Sequence, residues 1–517
     1  SYRIFLFQEL TLNELLDQEN VLQELKSQNA KLIDFITRPD IMSQLVSLVT
    51  EEPSAELDEA MRYQRPNLAC EVLTTDIRIL NERLSDKNLL AKLYSFLEAD
   101  PPLNPLLASF FSRTLSMLIC RKTDQNWYSY QFTCLQVLDF FKSCDNSLGL
   151  LLKHLGTSAI MDLTLKLITQ IEGEDMQRII FNWLENEGLV SRLMSLFDPS
   201  VDSDRQYNAA QLLCDTIHKC RDMACLSSEH KDIGPILSAI QSVFNFFRPE
   251  MTEKLLGHML GGELSESSIV GGISVLLTLL GPSPRNFNLY KMFIFSSTGS
   301  GEPAEVLNPP LSTISAIVPY LPKLHDLLIN PPKKDTVKLA CGTVDPPLGS
   351  TRLSVVKLLA ALIATNTLKV NEMLDELGTI NVLLDLFFHY TWNNFLHTQV
   401  GKCLAFALNS SEDIETNPLI SSIFIKCRLL QRILEAWKEN EAEQSKDGGK
   451  RRGYMGHLTN IASTVVKHFE GGNDFLNKNV DPDTMTAWND FVETTLGPIN
   501  VMKERCLVSV LNFFLFI

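Results

Sequence analysis

The stretch LSVVKLLAALI, residues 353–363, sets Leu353, Val356, Ala360 and Ile363 at i, i+3, i+7 and i+10. That spacing lays one apolar stripe along one face of a helix. The pattern recurs on either side. In LLAKLYSFL (89–97) the stripe is Leu89, Leu90, Leu93, Phe96 and Leu97. In IFIKCRLLQRILEAW (423–437) it is Ile423, Cys427, Leu430, Leu434 and Trp437. Start signals agree with the stripes. Asn104–Pro105 and Asn417–Pro418 each offer a side-chain acceptor at the N-cap and a proline at the first helical position, and Asp40 and Ser85 are further cap candidates.

The spacing predicts roughly twenty helices of ten to twenty residues joined by short turns. Alternating β-branched runs are scarce, and the clearest is YKMFIF (290–295). Without βα alternation a doubly wound sheet is excluded. Many consecutive helices, each with one narrow apolar face, cannot all surround a single core, but stacked as hairpins they bury their stripes between neighbours. The expected class is therefore all-α, an α-solenoid of armadillo/HEAT-like helical repeats. No fixed period is visible. Polar or Pro/Gly-rich breaks fall at 198–205, 281–310, 330–350 and 440–453. They read as punctuation within one array over 11–499, with 281–310 as a long loop.

Composition narrows the function. With 45% hydrophobic and 21% charged residues the 517-residue chain can bury a core, so disorder throughout is excluded. The charge is 46 − 62 = −16, which repels phosphate backbones and argues against a nucleic-acid partner. The eleven cysteines form no CxxC pair, as expected for free thiols in a reducing compartment. The longest uncharged run, 267–284, carries Gly271, Gly272, Ser274 and Pro282 and reads as a buried core helix rather than a membrane span. The opening SYRIFLF is a poor signal peptide, and a start at Ser1 reads as a fragment or an alternative product. The closing LVSVLNFFLFI is too short to span a bilayer and needs a docking place to stay soluble.

Signatures of chemistry are missing. There is no GxSxG, GxxxxGK[ST], HExxH or GxGxxG, and none of the GDxHG, GDxxDRG or GNHE strings that hold two metal ions in phosphatases. Asp198, Asp202 and Asp204 lack the glycine and closing glutamate of a calcium loop. His389 and His397 are eight residues apart, roughly 12 Å along a continuous helix and too far for one metal. No metal or cofactor is expected. The segment FFHYTWNNFLHTQV (387–400) concentrates Phe387, Phe388, Tyr390, Trp392 and Phe395 among Asn393, Asn394, His397 and Gln399. Its aromatics could be core with the amides capping helices, or the segment could be an exposed aromatic and amide face for a protein partner. Lys446, Lys450, Arg451 and Arg452 read as a solvated loop or as a contact for an acidic or phosphorylated partner. Lys333 and Lys334, after Pro331 and Pro332, read as an ordinary surface loop.

Six strings stand in an order that names a family: RYQRPNLACEVLTTD (62–76), NPLLASFFS (104–112), LGTSAIMDL (155–163), PPKK (331–334) with DPPLGSTRL (345–353), FFHYTWNNFLHTQV (387–400) and GYMGHLTNIA (453–462). Together they resemble the SAPS-domain proteins, regulatory subunits of protein phosphatase 6 (Sit4-associated proteins in yeast). The likeness runs from Thr11 to about Gly497. It implies a non-catalytic subunit, not an enzyme. Such a subunit binds the catalytic subunit of protein phosphatase 6 and, with an ankyrin-repeat regulatory subunit, directs it to substrates. No nucleic-acid or membrane partner is implied. The expected location is the cytoplasm, with the nucleus open as a second compartment. Residues 1–10 depart from the family's Met-Phe-Trp-like opening, NWYSYQFTCLQ (126–136) reads as an insertion, and 500–517 does not continue into the usual acidic tail.

The family-like strings and the residue types together point to Arg352, Tyr390, Trp392, Asn393, Asn394, His397 and Gln399 as partner-binding residues. The alternative is an armadillo-type adaptor or transport solenoid holding extended peptides. Trp127, Trp183, Trp392, Trp437 and Trp488 follow no period, which speaks against it. An enzyme with an unrecognised site is the third reading.

Overall fold

In a computed structural model, residues 11–56, 58–122, 125–229, 249–281, 311–339, 342–409, 417–470, 472 and 474–503 are described. The run at 290–295, most of the loop at 281–310, residues 1–10 and residues 504–517 lie outside them. The described chain is helical almost throughout, with a single short hairpin as its β-structure. It falls into two compact units, one up to Gly262 and one from Glu263.

In the first unit the helices α1 (Pro39–Thr50), α2 (Gln64–Leu73), α3 (Pro105–Ile119), α4 (Ser158–Thr169) and α5 (Ser203–Glu229) pack each on the next. Leu45, Leu73, Phe111 and Leu163 are buried along this row. Side-chain bonds tie neighbouring repeats across 46 to 53 residues. Lys92 donates to Ser43 across 49 residues, Ser85 to Gln136 across 51, Lys166 to Ser116 across 50, Arg192 to Asn146 across 46 and Asn208 to the Leu155 carbonyl across 53.

The second unit repeats the scheme. The helices α6 (Glu266–Leu280), α7 (Gly349–Ala364), α8 (Asn394–Leu408) and α9 (Met455–His468) form its inner row. Its ties are of the same kind: Lys426 to Asp375 across 51 residues, Arg432 to Asp385 across 47 and Gln431 to Asp481 across 50. Each unit is thus a helical-repeat body. Burying one Leu-sized side chain is worth about 1.5–3 kcal/mol, so the rows of buried stripes dominate its stability.

The caps at Asn104 and Asn417 are as expected: Asn104 accepts from the amides of Leu106 and Leu107, and Asn417 from that of Leu419. Two others are corrected. The cap position of α1 is Arg38, and Asp40 sits in the first turn, where its charge still favours the helix N-terminus. Ser85 ends one helix, its hydroxyl bound to Glu82 and Gln136, while Asp86 caps the next. The stripe from Ile423 to Trp437 is not one helix. Arg428, at φ 52°, breaks it, and a new helix runs Leu429–Gln444. Ile423, Cys427, Leu430 and Trp437 of the stripe are buried on either side of the break, while Leu434 is half-buried. The helix α7 is buried nearly all round, with Lys357 its exposed interior position, because α6 and α8 cover opposite sides. The stretch 126–136 is integrated into a helix over Trp127–Ser143. Its Tyr130 hydroxyl donates to the Ile119 carbonyl and accepts from the Glu172 amide.

The hairpin is a feature that the sequence pattern does not announce. Strands β1 (Val337–Leu339) and β2 (Gly342–Val344) pair antiparallel inside the stretch expected to be loop, directly ahead of DPPLGSTRL.

Candidate partner-binding groove

Three of the six strings meet in space in the second unit. The loop 345–349 leads from β2 into α7, and Gly349 makes the turn at φ 76°, a left-handed conformation that favours glycine. The stem of Lys334 lies against that glycine, 3.4 Å from where a Cβ would stand, while its ammonium pairs with Glu266 at 2.7 Å. One turn into α7, Arg352 is buried. Its guanidinium donates to the carbonyls of Leu348 and Pro347 and to the Tyr390 hydroxyl, each at 2.9 Å. The Tyr390 hydroxyl in turn donates to the Pro346 carbonyl at 2.8 Å. This clamp fixes the loop before α7 to the turn that opens α8.

That turn, residues 390–393, divides FFHYTWNNFLHTQV into two helices, one ending at His389 and α8 beginning at Asn394. His389 and His397 therefore lie on different helices. Asn393 caps α8, its side-chain oxygen accepting from the Leu396 amide at 3.0 Å. His397 is fully buried, its ring against Phe387 and 5.5 Å from that of His457. Its Nε2 lies 3.1 Å from the Phe387 carbonyl; a carbonyl only accepts, so Nε2 carries the proton. Burial, with the neighbouring His457 adding to it, pushes His397 down to about 4, so the ring is neutral at physiological pH. Burial pushes the Tyr390 hydroxyl up, with the Arg352 charge opposing.

The third string closes the side. A Cβ on Gly453 would stand 2.7 Å from the Thr391 carbonyl and 2.7 Å from the Trp392 indole, so only glycine lets the backbone lie against that ring. Behind it, Arg452 is bound to Glu439 and the Tyr454 hydroxyl, and Lys446 to Glu443.

Between the hairpin, the loop 345–349 and the turn runs an open groove of about 600 Å³, lined among others by Val344, Asp345, Pro347, Trp392, Asn394 and Phe395. Trp392 is 51% and Phe395 75% exposed. Of the seven expected contacts, Tyr390, Trp392, Asn393 and Asn394 line this groove. Gln399 is half-buried and is not among its lining residues. Arg352 and His397 are both buried and brace the turn from behind. Neither aromatic reading holds alone, since Phe387 and Tyr390 are core while Trp392 and Phe395 face water.

Asp345 and the β2 edge escaped the sequence reading, and Phe395 entered it only as one of the aromatics of 387–400. A signal for Phe395 existed: the buried line of α8 runs Leu396, Val400, Leu404, and Phe395 stands one place off it. No group of His, Cys, Asp and Glu among the described residues could hold a metal ion. No described helix is long and apolar enough to cross a membrane.

The family described as SIT4 phosphatase-associated protein (SAPS) matches residues 131–373 and 367–505. Serine/threonine-protein phosphatase 6 regulatory subunit 3-A of Xenopus laevis is 42% identical over 97% of this chain and 58% of its own length. Regulatory subunit 2 of Homo sapiens is 40% identical over 97% of this chain and 53% of its own. Extragenic suppressor of kinetochore protein 1 of Schizosaccharomyces pombe is 24% identical over 94% of this chain and 74% of its own. The chain thus spans little more than half the length of its phosphatase-subunit relatives. Among solved structures, an engineered protein aligns with 87% of this chain and 98% of its own at 15% identity and a TM-score of 0.32.

Proposed function

Because the chain belongs to the SIT4 phosphatase-associated protein (SAPS) family, we propose that it is a non-catalytic regulatory subunit. It binds the catalytic subunit of protein phosphatase 6 and directs it to substrates, with an ankyrin-repeat subunit as a further partner and the cytoplasm, and also the nucleus, as its place of action. Each unit is then a stretch of armadillo/HEAT-like α-solenoid, whose helix ends and loops offer a broad contact surface. The groove of the second unit is where the catalytic subunit docks.

The observation that carries this reading is the meeting of three separate family-like strings at one open surface. The buried polar groups Arg352, Tyr390 and His397 are spent on holding that surface still, and Trp392, Asn394 and Phe395 are left in water. Aromatic anchors set in a braced turn are the kind of residue on which interface energy concentrates. Such a subunit acts by orientation and local concentration, without chemistry of its own.

The test is capture of the phosphatase 6 catalytic subunit by the full chain and by Trp392→Ala and Asn394→Ala variants that keep their circular dichroism. Reduced capture by both supports the groove; unchanged capture removes it from consideration.

A further inference from the structure

The edge of the hairpin is the feature of this groove that the reading above leaves unused. The register pairs Leu339 with Gly342, Lys338 with Thr343 and Val337 with Val344. Only two residues separate Leu339 from Gly342, so that pair exchanges both backbone bonds, and the alternation turns the N–H and C=O of Thr343 away from β1. Thr343 is exposed and lines the groove, and no described residue supplies those two groups with a partner. After Asp345 come Pro346 and Pro347, which have no N–H and cannot extend the strand. An unpaired edge beside a side-chain groove is a template for an added strand.

The electrostatics select what the strand carries. Among the described residues Asp345 is the one carboxylate lining the groove, no lysine or arginine lines it, and no cation pairs with Asp345. Of the nearby cations, Arg352 is committed to Leu348, Pro347 and Tyr390, Lys334 to Glu266 and Arg452 to Glu439, and Lys338, exposed opposite Thr343 on the hairpin, is not among the lining residues. The exposed indole of Trp392 and ring of Phe395 present faces that attract a cation.

We propose that the groove takes an extended segment of a partner protein, which pairs with the outer edge of β2 and sets an arginine or lysine against Asp345 and the Trp392 ring. The proposal rests on the reading of this groove as the partner surface and adds the form and charge of what enters it. A three-residue edge of about 10 Å offers only a few backbone bonds, so the basic side chain carries most of the selectivity.

The experiment is a positional scan of acetylated, amidated octapeptides against the full chain, with catalytic-subunit capture measured in parallel. The expected result is selection of arginine or lysine at one position and rejection of proline at alternating positions. The selected peptide should bind about tenfold more weakly to Asp345→Asn and to Trp392→Ala. Circular dichroism checks that both variants stay folded, and N-methylation of alternate peptide amides gives a second readout on unaltered protein. Selection of acidic residues overturns the proposal, as does indifference to N-methylation. A concentration-dependent dimer abolished by Asp345→Asn also overturns it, because the occupant is then a second copy. If Trp392→Ala loses catalytic-subunit capture while no peptide is selected, the groove reading stands and strand addition falls. If Trp392→Ala changes neither measurement, both fall.

Discussion

The guanidinium of Arg352 and the hydroxyl of Tyr390 lie 2.9 Å apart, although 38 residues separate them. Each also serves a carbonyl of the same loop, Arg352 those of Leu348 and Pro347 and Tyr390 that of Pro346. The pair is buried, so these bonds face no competition from water. Replacing Arg352 by Met removes the charge, takes one donor from the Tyr390 hydroxyl and leaves the carbonyls of Leu348 and Pro347 without the guanidinium. A loss of about 3 kcal/mol is expected in denaturant unfolding of the second unit, against about 1 kcal/mol for Tyr390→Phe. The double variant should cost less than the sum, because the two side chains share one network.

Gly453→Ala tests the packing on Trp392. The added Cβ meets the Thr391 carbonyl and the indole at 2.7 Å each, so the ring or the turn has to move. A destabilisation of about 1–3 kcal/mol is expected. A shift of the Trp392 emission, read in a background where the other four tryptophans are phenylalanine, is expected with it.

His397 gives the second unit a pH dependence of known sign. Its native value is pushed down to about 4 from an ordinary 6.5, so the unfolded chain binds more protons between those values. The stabilisation by the neutral buried ring is complete above about pH 6.5 and is lost as the pH falls towards 4. Denaturant midpoints measured across this window should fall with pH more steeply in the wild type than in His397→Gln. Equal slopes would remove His397 as a source of the effect.

Asn104 caps α3 through two amides and donates to the Tyr63 hydroxyl at 2.7 Å. Asn104→Ala is expected to cost about 1–2 kcal/mol in the first unit. Because the site lies in the other unit, capture by the groove should be unchanged.

The helices were legible because apolar stripes and Asn-Pro caps are local signals. The repeat was not, and its bonds show why. The steps from Arg192 to Asn146 and from Asn208 to Leu155 are 46 and 53 residues, so no single period aligns the sequence with itself. The hairpin was hidden by its size, since VKL and GTV are too short to show alternation. Sequence shows that Arg352 and His397 are polar but not whether their partners are water or carbonyls. The aromatic string 387–400 does not by itself separate core from surface: Phe387 and Tyr390 turn inward, while Trp392 and Phe395 stand exposed.

The most direct test of the central claim is the dissociation constant for the phosphatase 6 catalytic subunit, measured with the full chain. The variants are Trp392→Ala/Phe395→Ala and, as a control on an equally exposed aromatic pair of the first unit, Tyr128→Ala/Phe132→Ala. The account predicts that the first pair weakens binding by more than about tenfold and that the second leaves it within about twofold of wild type. Equal affinities for the Trp392→Ala/Phe395→Ala variant and the wild type would contradict it.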